Sequence, residues 1–503
     1  MQLLNRFFIF IFLSSCFTLT WAQNIKPEKP NFLIIMTDDQ SFNTIQALGN
    51  NEIKTPNLDK LAEEGVNFSH CFNQGSWSGA VCVASRTMLI TGQTVFRAQQ
   101  NKSFLVPWAR AESGPETEVK LLGETFLEAG YTTYLTGKWH NSDYAALKSF
   151  EKAKGVGLGM YETFDQNNSE KFAYDRPKKT SWTPYDKKLK GHWSPEVKDL
   201  ILDENANNKF GAKYVVSQHT SEFYSDAAIN FLYDQKNETQ PFLALVCYNA
   251  PHDPRQSPKE FVDQYPVEQL SVPANYLPEH PFDQGDNRVR DELLAPFPRT
   301  EEAVKLHKSE YYAIISHMDR EIGRILTALE KSDQADNTYV ILTSDHGLAV
   351  GSHGLMGKQN QYDHSVRMPF IIRGPDLDGG KSIDNMIYMQ SIYATVCELA
   401  GIGVPETVEY PSLVNLLDGE PEGGEEYVFG AYLDLQRMIR NKKYKLIVYP
   451  KVNEVQLFDL EYDPDEMNDL AENKKYKSIK KDLFEAMKRK QEELGDFLVL
   501  DKI

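Results

Sequence analysis

The sequence predicts an α/β protein: a large, doubly wound and mainly parallel sheet domain, followed by a smaller α+β subdomain made of an antiparallel sheet and a helix. Three observations lead there. Short apolar runs recur as far as Ile372 without the alternation of half-exposed strands, as expected for strands covered on both faces. Helical patterns separate these runs, and strands alternating with helices build parallel sheets. After about Leu417 the pattern changes to closely spaced short runs.

The apolar runs are Phe32 to Met36, Tyr131 to Leu135, Phe242 to Val246, Tyr339 to Leu342 and Phe370 to Ile372, all read as buried parallel strands. Thr55-Pro56 opens a helix with proline at its first position, and Gly65 closes it. Leu121 to Ala129 forms a second helix that stops at Gly130. Ser221 to Tyr233 and the long amphipathic stretch Tyr311 to Leu329 are two more. Asp418 to Glu426, acidic and glycine-rich, reads as a linker. Tyr427 to Leu433, Met438 to Ile439, Lys443 to Tyr449 and Val455 to Leu460 are spaced like an antiparallel meander, closed by a charged helix from about Ser478 to Leu494. The expected organisation is a leader over 1–22, a large α/β domain over 23–417 and a small subdomain over 427–503.

In the leader, Arg6 precedes the apolar run Phe7 to Leu13, which continues through Phe17 to Trp21 before the chain turns polar at Ala22 and Gln23. That is the build of a signal peptide, so the protein is expected to be exported, periplasmic or secreted. Leu13-Ser14-Ser15-Cys16 also resembles a lipoprotein cleavage box, making anchoring through Cys16 the alternative; the apolar residues that continue past it favour a cut near Ala22. No later stretch of about 18 apolar residues follows, so no transmembrane segment is expected. Beyond the leader stand Cys71, Cys82, Cys247 and Cys397, too few for a disulfide framework. Cys247 and Cys397 lie in apolar patterns and read as small buried hydrophobes, while Cys71 is open. The net charge of −18 repels polyanions and argues against nucleic acid as a partner. An anionic substrate would need a local cationic site.

Polar clusters follow four of the strands directly: Asp38-Asp39, Lys138 with His140, His252, and Asp345-His346. Each alone reads as a helix cap or a turn. Together they fall where open α/β sheets bind ligands, at the carboxyl ends of strands. Asp38, Asp39 and Asp345 offer oxygen ligands suited to calcium or magnesium, and without a cation three clustered carboxylates repel each other. Zinc is less suited, because no cysteine–histidine pair has its usual spacing. Arg86, Lys138, Lys358, His140 and His252 can supply donors to a tetrahedral anion. Apolar spacing after Cys82 fits a helix ending at Gly92, with Cys82 near its N-terminus, where the dipole favours negative charge. Cys82 alone would read as an activated thiol or a buried cysteine.

Cys82-Val83-Ala84-Ser85-Arg86 is similar to the Cys-x-Pro-Ser-Arg signature of type I, formylglycine-dependent sulfatases, in the alkaline phosphatase superfamily. Met36-Thr37-Asp38-Asp39-Gln40, Thr55-Pro56-Asn57-Leu58-Asp59, Gly137-Lys138-Trp139-His140, Ala250-Pro251-His252-Asp253-Pro254, Thr343-Ser344-Asp345-His346-Gly347 and the stretch His353 to Lys358 match in order. Leu457-Phe458-Asp459-Leu460 with Asp463 to Glu466 resembles the family's tail motif, so the likeness spans about residues 31–470. Ala84 stands where the family has proline, which leaves open which maturation enzyme acts.

The resemblance implies a sulfuric ester hydrolase, comparable to bacterial polysaccharide sulfatases, acting on a sulfated carbohydrate. It implies conversion of Cys82 to formylglycine by a formylglycine-generating or anaerobic sulfatase-maturating enzyme. It further implies one calcium ion on Asp38, Asp39, Asp345 and His346, with the modified Cys82 completing the site. Arg86 and Lys138 would hold the formylglycine hydrate, His252 and Lys358 would grip the sulfate, His252 could protonate the leaving alcohol, and His140 would take a proton from the second hydroxyl. A phosphodiester or phosphonate ester hydrolase of the same superfamily is the alternative activity, and a glycan-binding protein without catalysis the alternative class.

Between Lys171 and Lys190, Lys171, Arg176, Lys178, Lys179, Lys187, Lys188 and Lys190 face only Asp175 and Asp186, with Phe172, Tyr174, Trp182, Tyr185 and nearby Trp193 interleaved. Pro177 and Pro184 argue for a loop. It is either a solvated basic loop or an insert that recognises an anionic glycan.

Overall fold

The computed structural model describes residues 29–108, 119–158, 183–188, 191–285 and 289–500. The leader over 1–22 and most of the basic segment lie outside the described residues. Among the described residues the main sheet has eleven strands. At its centre Thr338–Ser344, Asn31–Asp38, Phe242–Pro251, Thr132–Lys138 and Lys152–Gly157 run side by side, all parallel. Their burial explains the unbroken apolar runs. Along Asn31–Asp38, Phe32, Ile34 and Met36 enter one core while Leu33 and Ile35 enter the core on the opposite face.

The helix Glu301–Lys331 covers the Leu33 face through Ile314, Met318, Ile322, Ile325 and Leu329. Its N-cap Thr300 accepts a hydrogen bond from the Ala303 N–H at 3.1 Å. Val81–Thr91, Leu122–Glu128 and Ser391–Leu399 cover the other face. The cores form without cross-links: Cys71, Cys82, Cys247 and Cys397 are all free and buried, and Cys71, Cys247 and Cys397 pack within the first core as small hydrophobes.

One strand corrects the expected pattern. Phe370–Arg373 runs antiparallel to both Thr338–Ser344 and Val66–Phe72. Between Ser344 and Phe370 the only described helix is the short Asp363–Val366, so no crossover helix returns the chain to the starting edge, and a direct return is antiparallel.

The meander forms as Val428–Tyr432, Gln436–Arg440, Tyr444–Tyr449 and Glu454–Asp459, each antiparallel to the next. Helix Lys477–Leu494 packs on it through Leu483, Phe484 and Met487. A fifth strand, Gly75–Ser76, joins this sheet parallel to Val428–Tyr432. The second sheet is therefore completed by a segment only a few residues before Cys82. No described helix is long and apolar enough to cross a membrane.

Candidate active site

Each strand end delivers its polar residue to the same edge of the sheet. Asp38 is the last residue of its strand, and Asp39 turns away with a left-handed φ of 71°. Lys138 likewise ends Thr132–Lys138. Gly137 before it has φ 97°, and a Cβ there would meet the Cys247 carbonyl oxygen of the neighbouring strand at 1.9 Å, so only glycine fits. His140 is also left-handed, with φ 54°. Non-glycine residues in this region concentrate at functional sites. His252 follows Phe242–Pro251, and Asp345 and His346 follow Thr338–Ser344. Cys82 is the second residue of helix Val81–Thr91, and Arg86 lies one turn on.

These segments meet around Cys82. Its Sγ is 3.4 Å from His346 Nε2 and 3.4 Å from Lys358 Nζ. Lys358 Nζ donates to both carboxylate oxygens of Asp39, at 2.7 and 2.9 Å. Lys138 Nζ donates to Asp38. Arg86 donates through Nη1 to the Lys138 carbonyl at 2.6 Å and faces Asp345 at 3.4 Å and Asp38 at 4.0 Å. Asp345 Oδ1 accepts from the backbone N–H groups of Asp39 and His346. Its carbonyl is held by Ser85 Oγ at 2.6 Å and Asn73 Nδ2 at 2.8 Å, which gives the serine of the Cys82 motif a structural task. His252 Nε2 stands 3.9 Å from Asp39 Oδ2. His140 is buried beside these charges, but no hydrogen bond or ion pair among the described residues joins it to them, and its Nδ1 has no hydrogen-bond partner.

Burial sets the electrostatics. It pushes the Asp39 carboxyl well up, aided by the charges of Asp38 and Asp345, against the pull of Lys358. Burial and the Asp345 charge also push Asp38 up, but Lys138, His252 and Arg86 outweigh them and hold it below the usual range. Asp345 is lowered because His346 and Arg86 overcome its burial. Burial, then the Lys138 and Arg86 charges, keeps the His140 imidazole well below its ordinary value and so neutral. Burial and Asp38 push the Cys82 thiol well up, so an unmodified Cys82 would be a protonated thiol rather than an activated one.

The ligand atoms of Asp38, Asp39, Cys82 and His346 lie within 4.8 Å of one another. His346 Nδ1 donates to the Gly347 carbonyl at 2.9 Å, which leaves its Nε2 lone pair facing the carboxylates. Asp38 Oδ1 and Asp345 Oδ2 are buried without a hydrogen-bond partner. Convergent carboxylates with unfilled acceptor sites fit a hard, oxygen-seeking cation.

Two neighbours escaped sequence reasoning. Asp291 lies 3.8 Å from Lys358 Nζ, and Gln359 bridges Asp291 at 2.8 Å to the Gly79 carbonyl at 3.2 Å. Asp291 sits in an ordinary polar stretch with no motif to mark it, and Gln359 falls one residue past the matched stretch His353 to Lys358.

A parallel sheet that gathers carboxylates, fixed cations and a helix-borne residue at one edge has the make-up of a hydrolase for esters of tetrahedral oxyanions. Comparison with known proteins narrows this. The sulfatase family model matches residues 30–402, and the model for the C-terminal part of N-sulphoglucosamine sulphohydrolase matches 351–493. The chain belongs to the sulfatase family, within the alkaline phosphatase superfamily, and is a sulfuric ester hydrolase. It is 30% identical over 457 residues to an arylsulfatase of Clostridium perfringens, covering 89% of this chain and 92% of that protein. It is 25% identical over 525 residues to an N-acetylglucosamine-6-O-sulfatase of Bacteroides thetaiotaomicron, covering 94% and 88%. In fold it resembles a solved structure in complex with D-glucosamine-2-N,6-O-disulfate, with a TM-score of 0.72 at 21% identity, covering 93% and 99%.

Proposed function

We propose that this sulfatase removes sulfate from a carbohydrate, with Cys82 converted to formylglycine by a maturation enzyme and one calcium ion held by Asp38, Asp39, Asp345 and His346. The observation that carries the reading is the convergence of four strand ends, the Cys82 helix and Lys358 on a single buried point. The hydrated aldehyde supplies two hydroxyls on one carbon, one to attack sulfur and one whose collapse later expels sulfate. The calcium ion, when bound, neutralises the carboxylates and draws charge from the sulfuryl oxygens.

The remaining work falls to the chain's own side chains. Asp38, Asp39 and Asp345 are matched in charge by Arg86, Lys138 and Lys358. A divalent ion therefore leaves an excess of positive charge for an anionic ester and a deprotonated nucleophile. Arg86 and Lys138 hold the side chain at position 82. Lys358 and His252 face the sulfate. His252 Nδ1 donates to the Asp253 carbonyl at 2.7 Å, so Nε2 is the atom that delivers a proton to the leaving oxygen. Buried and neutral, His140 is the base for the second hydroxyl. The carbohydrate substrate is supported by the relative named an N-acetylglucosamine-6-O-sulfatase. Export through the leader, a large domain over 23–417 and a small one over 427–503 complete the proposal.

Co-expression with a maturation enzyme followed by peptide mass analysis should show formylglycine at position 82, and chelation should abolish turnover that calcium restores better than zinc. An active enzyme that retains unmodified cysteine, or one indifferent to chelation, would falsify the reading.

A further inference from the structure

The loop that carries His252 is gripped from behind by two fully buried histidines. His192 lies just after the basic segment, and His219 caps helix Thr220–Gln235. Their rings stack with centroids 5.0 Å apart and planes 8° from parallel. His192 Nε2 meets the His252 carbonyl oxygen at 3.0 Å, and His219 Nε2 meets the Gln256 carbonyl at 2.9 Å. The His192 backbone N–H donates to Gln256 Oε1 at 2.8 Å. Both ends of the stretch His252 to Gln256 are thus tied to the same pair of rings.

The donor assignments are forced. A carbonyl only accepts, so His192 carries its proton on Nε2 and its Nδ1 accepts from Thr220 Oγ1 at 2.6 Å. His219 Nδ1 accepts from the Ser221 N–H at 3.1 Å, so its proton too is on Nε2. Burial holds His192 down to about 4, which keeps the ring neutral and leaves it a fixed hydrogen-bond donor rather than a charge.

We propose that His192 is a positioning residue for His252: its Nε2–H fixes the peptide between His252 and Asp253, and with it the direction from which the His252 imidazole reaches the leaving oxygen. His252 Nδ1 is steered by the very next carbonyl, that of Asp253. Rotation of the pinned peptide would therefore swing the imidazole away from the sulfate. The same clamp ties the loop to the described end of the basic segment, because the Pro184 carbonyl accepts from Trp193 Nε1 at 3.1 Å and from the Ser257 N–H at 3.2 Å. The inference rests on the acid role given to His252 above.

The test compares kcat/KM for phenyl sulfate, whose leaving group needs a proton, with that for 4-nitrophenyl sulfate, whose leaving group needs it less. His192→Phe keeps the stacked ring without the donor. It should lose about tenfold on phenyl sulfate and less than about threefold on 4-nitrophenyl sulfate, the scale of one hydrogen bond. His192→Gln, which restores a donor near the Nε2 position, should recover most of the loss. Thr220→Val, which leaves the ring but removes the hydroxyl that selects its tautomer, should show the same split in smaller degree and stands in if the phenylalanine variant does not fold. Equal loss on both substrates, no loss, or a glutamine variant no better than phenylalanine overturns the proposal. His252→Ala is measured alongside. If it shows the split and the His192 and Thr220 variants do not, the positioning role alone fails; if it shows none, the acid role fails and the inference with it.

Discussion

Two of the buried charge clusters among the described residues are built to opposite rules. At the junction with the second sheet, Asp363 takes Arg440 Nη1 on both oxygens, at 2.9 and 2.6 Å, and Lys445 at 2.6 Å. Glu466 of the tail motif takes Lys445 at 2.5 Å on one oxygen and the Asp363 N–H at 2.8 Å on the other. Every carboxylate oxygen there has a partner. At the Cys82 site, Asp38 Oδ1, Asp345 Oδ2, and Arg86 Nε and Nη2 are buried without one, although opposite charges stand 3.4 to 4.0 Å apart. A saturated network clasps two parts of a fold together. An unsaturated one keeps bonding capacity for something that arrives later, and it must be held in shape from outside, here by Ser85, Asn73 and the backbone N–H groups on Asp345.

The sharpest way to break this comparison is to damage each cluster and ask which property suffers. Cys82→Ala should lower turnover by at least about 10⁴-fold, as loss of a nucleophile does, while changing unfolding free energy by no more than about 1 kcal/mol. Asp363→Ala leaves Arg440 buried without its carboxylate partner and Lys445 with Glu466 alone, and should cost about 3–5 kcal/mol in urea unfolding while the folded fraction keeps its turnover within about tenfold. If the Asp363 variant instead kept its stability and lost its chemistry, the two clusters would not divide the work as described.

A smaller effect sharpens the picture by pH. Burial, with the Asp363 charge, pushes the Glu466 carboxyl up to about 7, because Lys445 is shared with Asp363 and cannot fully compensate. Its folded value thus lies above its unfolded value near 4.3, so the native state holds a proton that the unfolded chain has lost. The Glu466 contribution to stability is complete below about 4 and is lost as pH rises through about 7. Glu466→Gln should flatten that fall. Melting temperatures of both proteins at pH 5, 6, 7 and 8 would show it, and parallel curves would remove Glu466 from the account.

What could be read from the sequence was what leaves a local signal. Strands buried on both faces are unbroken apolar runs, and the polar residues right after them fall at the sheet edge by topology alone, so Asp38, Lys138, His252 and Asp345 could be placed together. The meander and the helix Lys477–Leu494 were legible for the same reason. Contacts between distant segments were not. Gly75–Ser76 is too short to announce itself as the fifth strand of the second sheet. The first ten residues of helix Glu301–Lys331 include buried His307, Lys308 and Glu310, whose polarity hid the helical pattern. Phe370–Arg373 looked like its parallel neighbours because direction is set by the connection, not by the strand. Asp363 looks like a surface charge, and His192 like any histidine, because Asp363 meets Arg440 and Lys445 from 77 and 82 residues away, and His192 meets His252 and Gln256 from 60 and 64.

The smallest expected effect concerns the charges of the basic segment. In the basic segment, Lys178 and Lys179 lie outside the described residues, while Lys187 and Lys188 are exposed, with Lys187 Nζ 4.9 Å over the Trp193 ring. Exposed charges act on a substrate by long-range attraction, each worth about 0.2–1 kcal/mol, and are screened within about 10 Å at roughly 0.1 M salt. Replacing Lys178, Lys179, Lys187 and Lys188 together with glutamine should therefore raise KM for a sulfated oligosaccharide, on the order of tenfold at low salt. The kcat for 4-nitrophenyl sulfate should stay nearly unchanged, since that ester engages only the sulfate pocket. The KM effect should shrink as salt rises, whereas the loss in Cys82→Ala and the instability of Asp363→Ala should not, because buried groups are shielded from mobile ions. A KM that does not move at low salt would make the segment a solvated basic loop and leave recognition of the anionic glycan to the buried site alone.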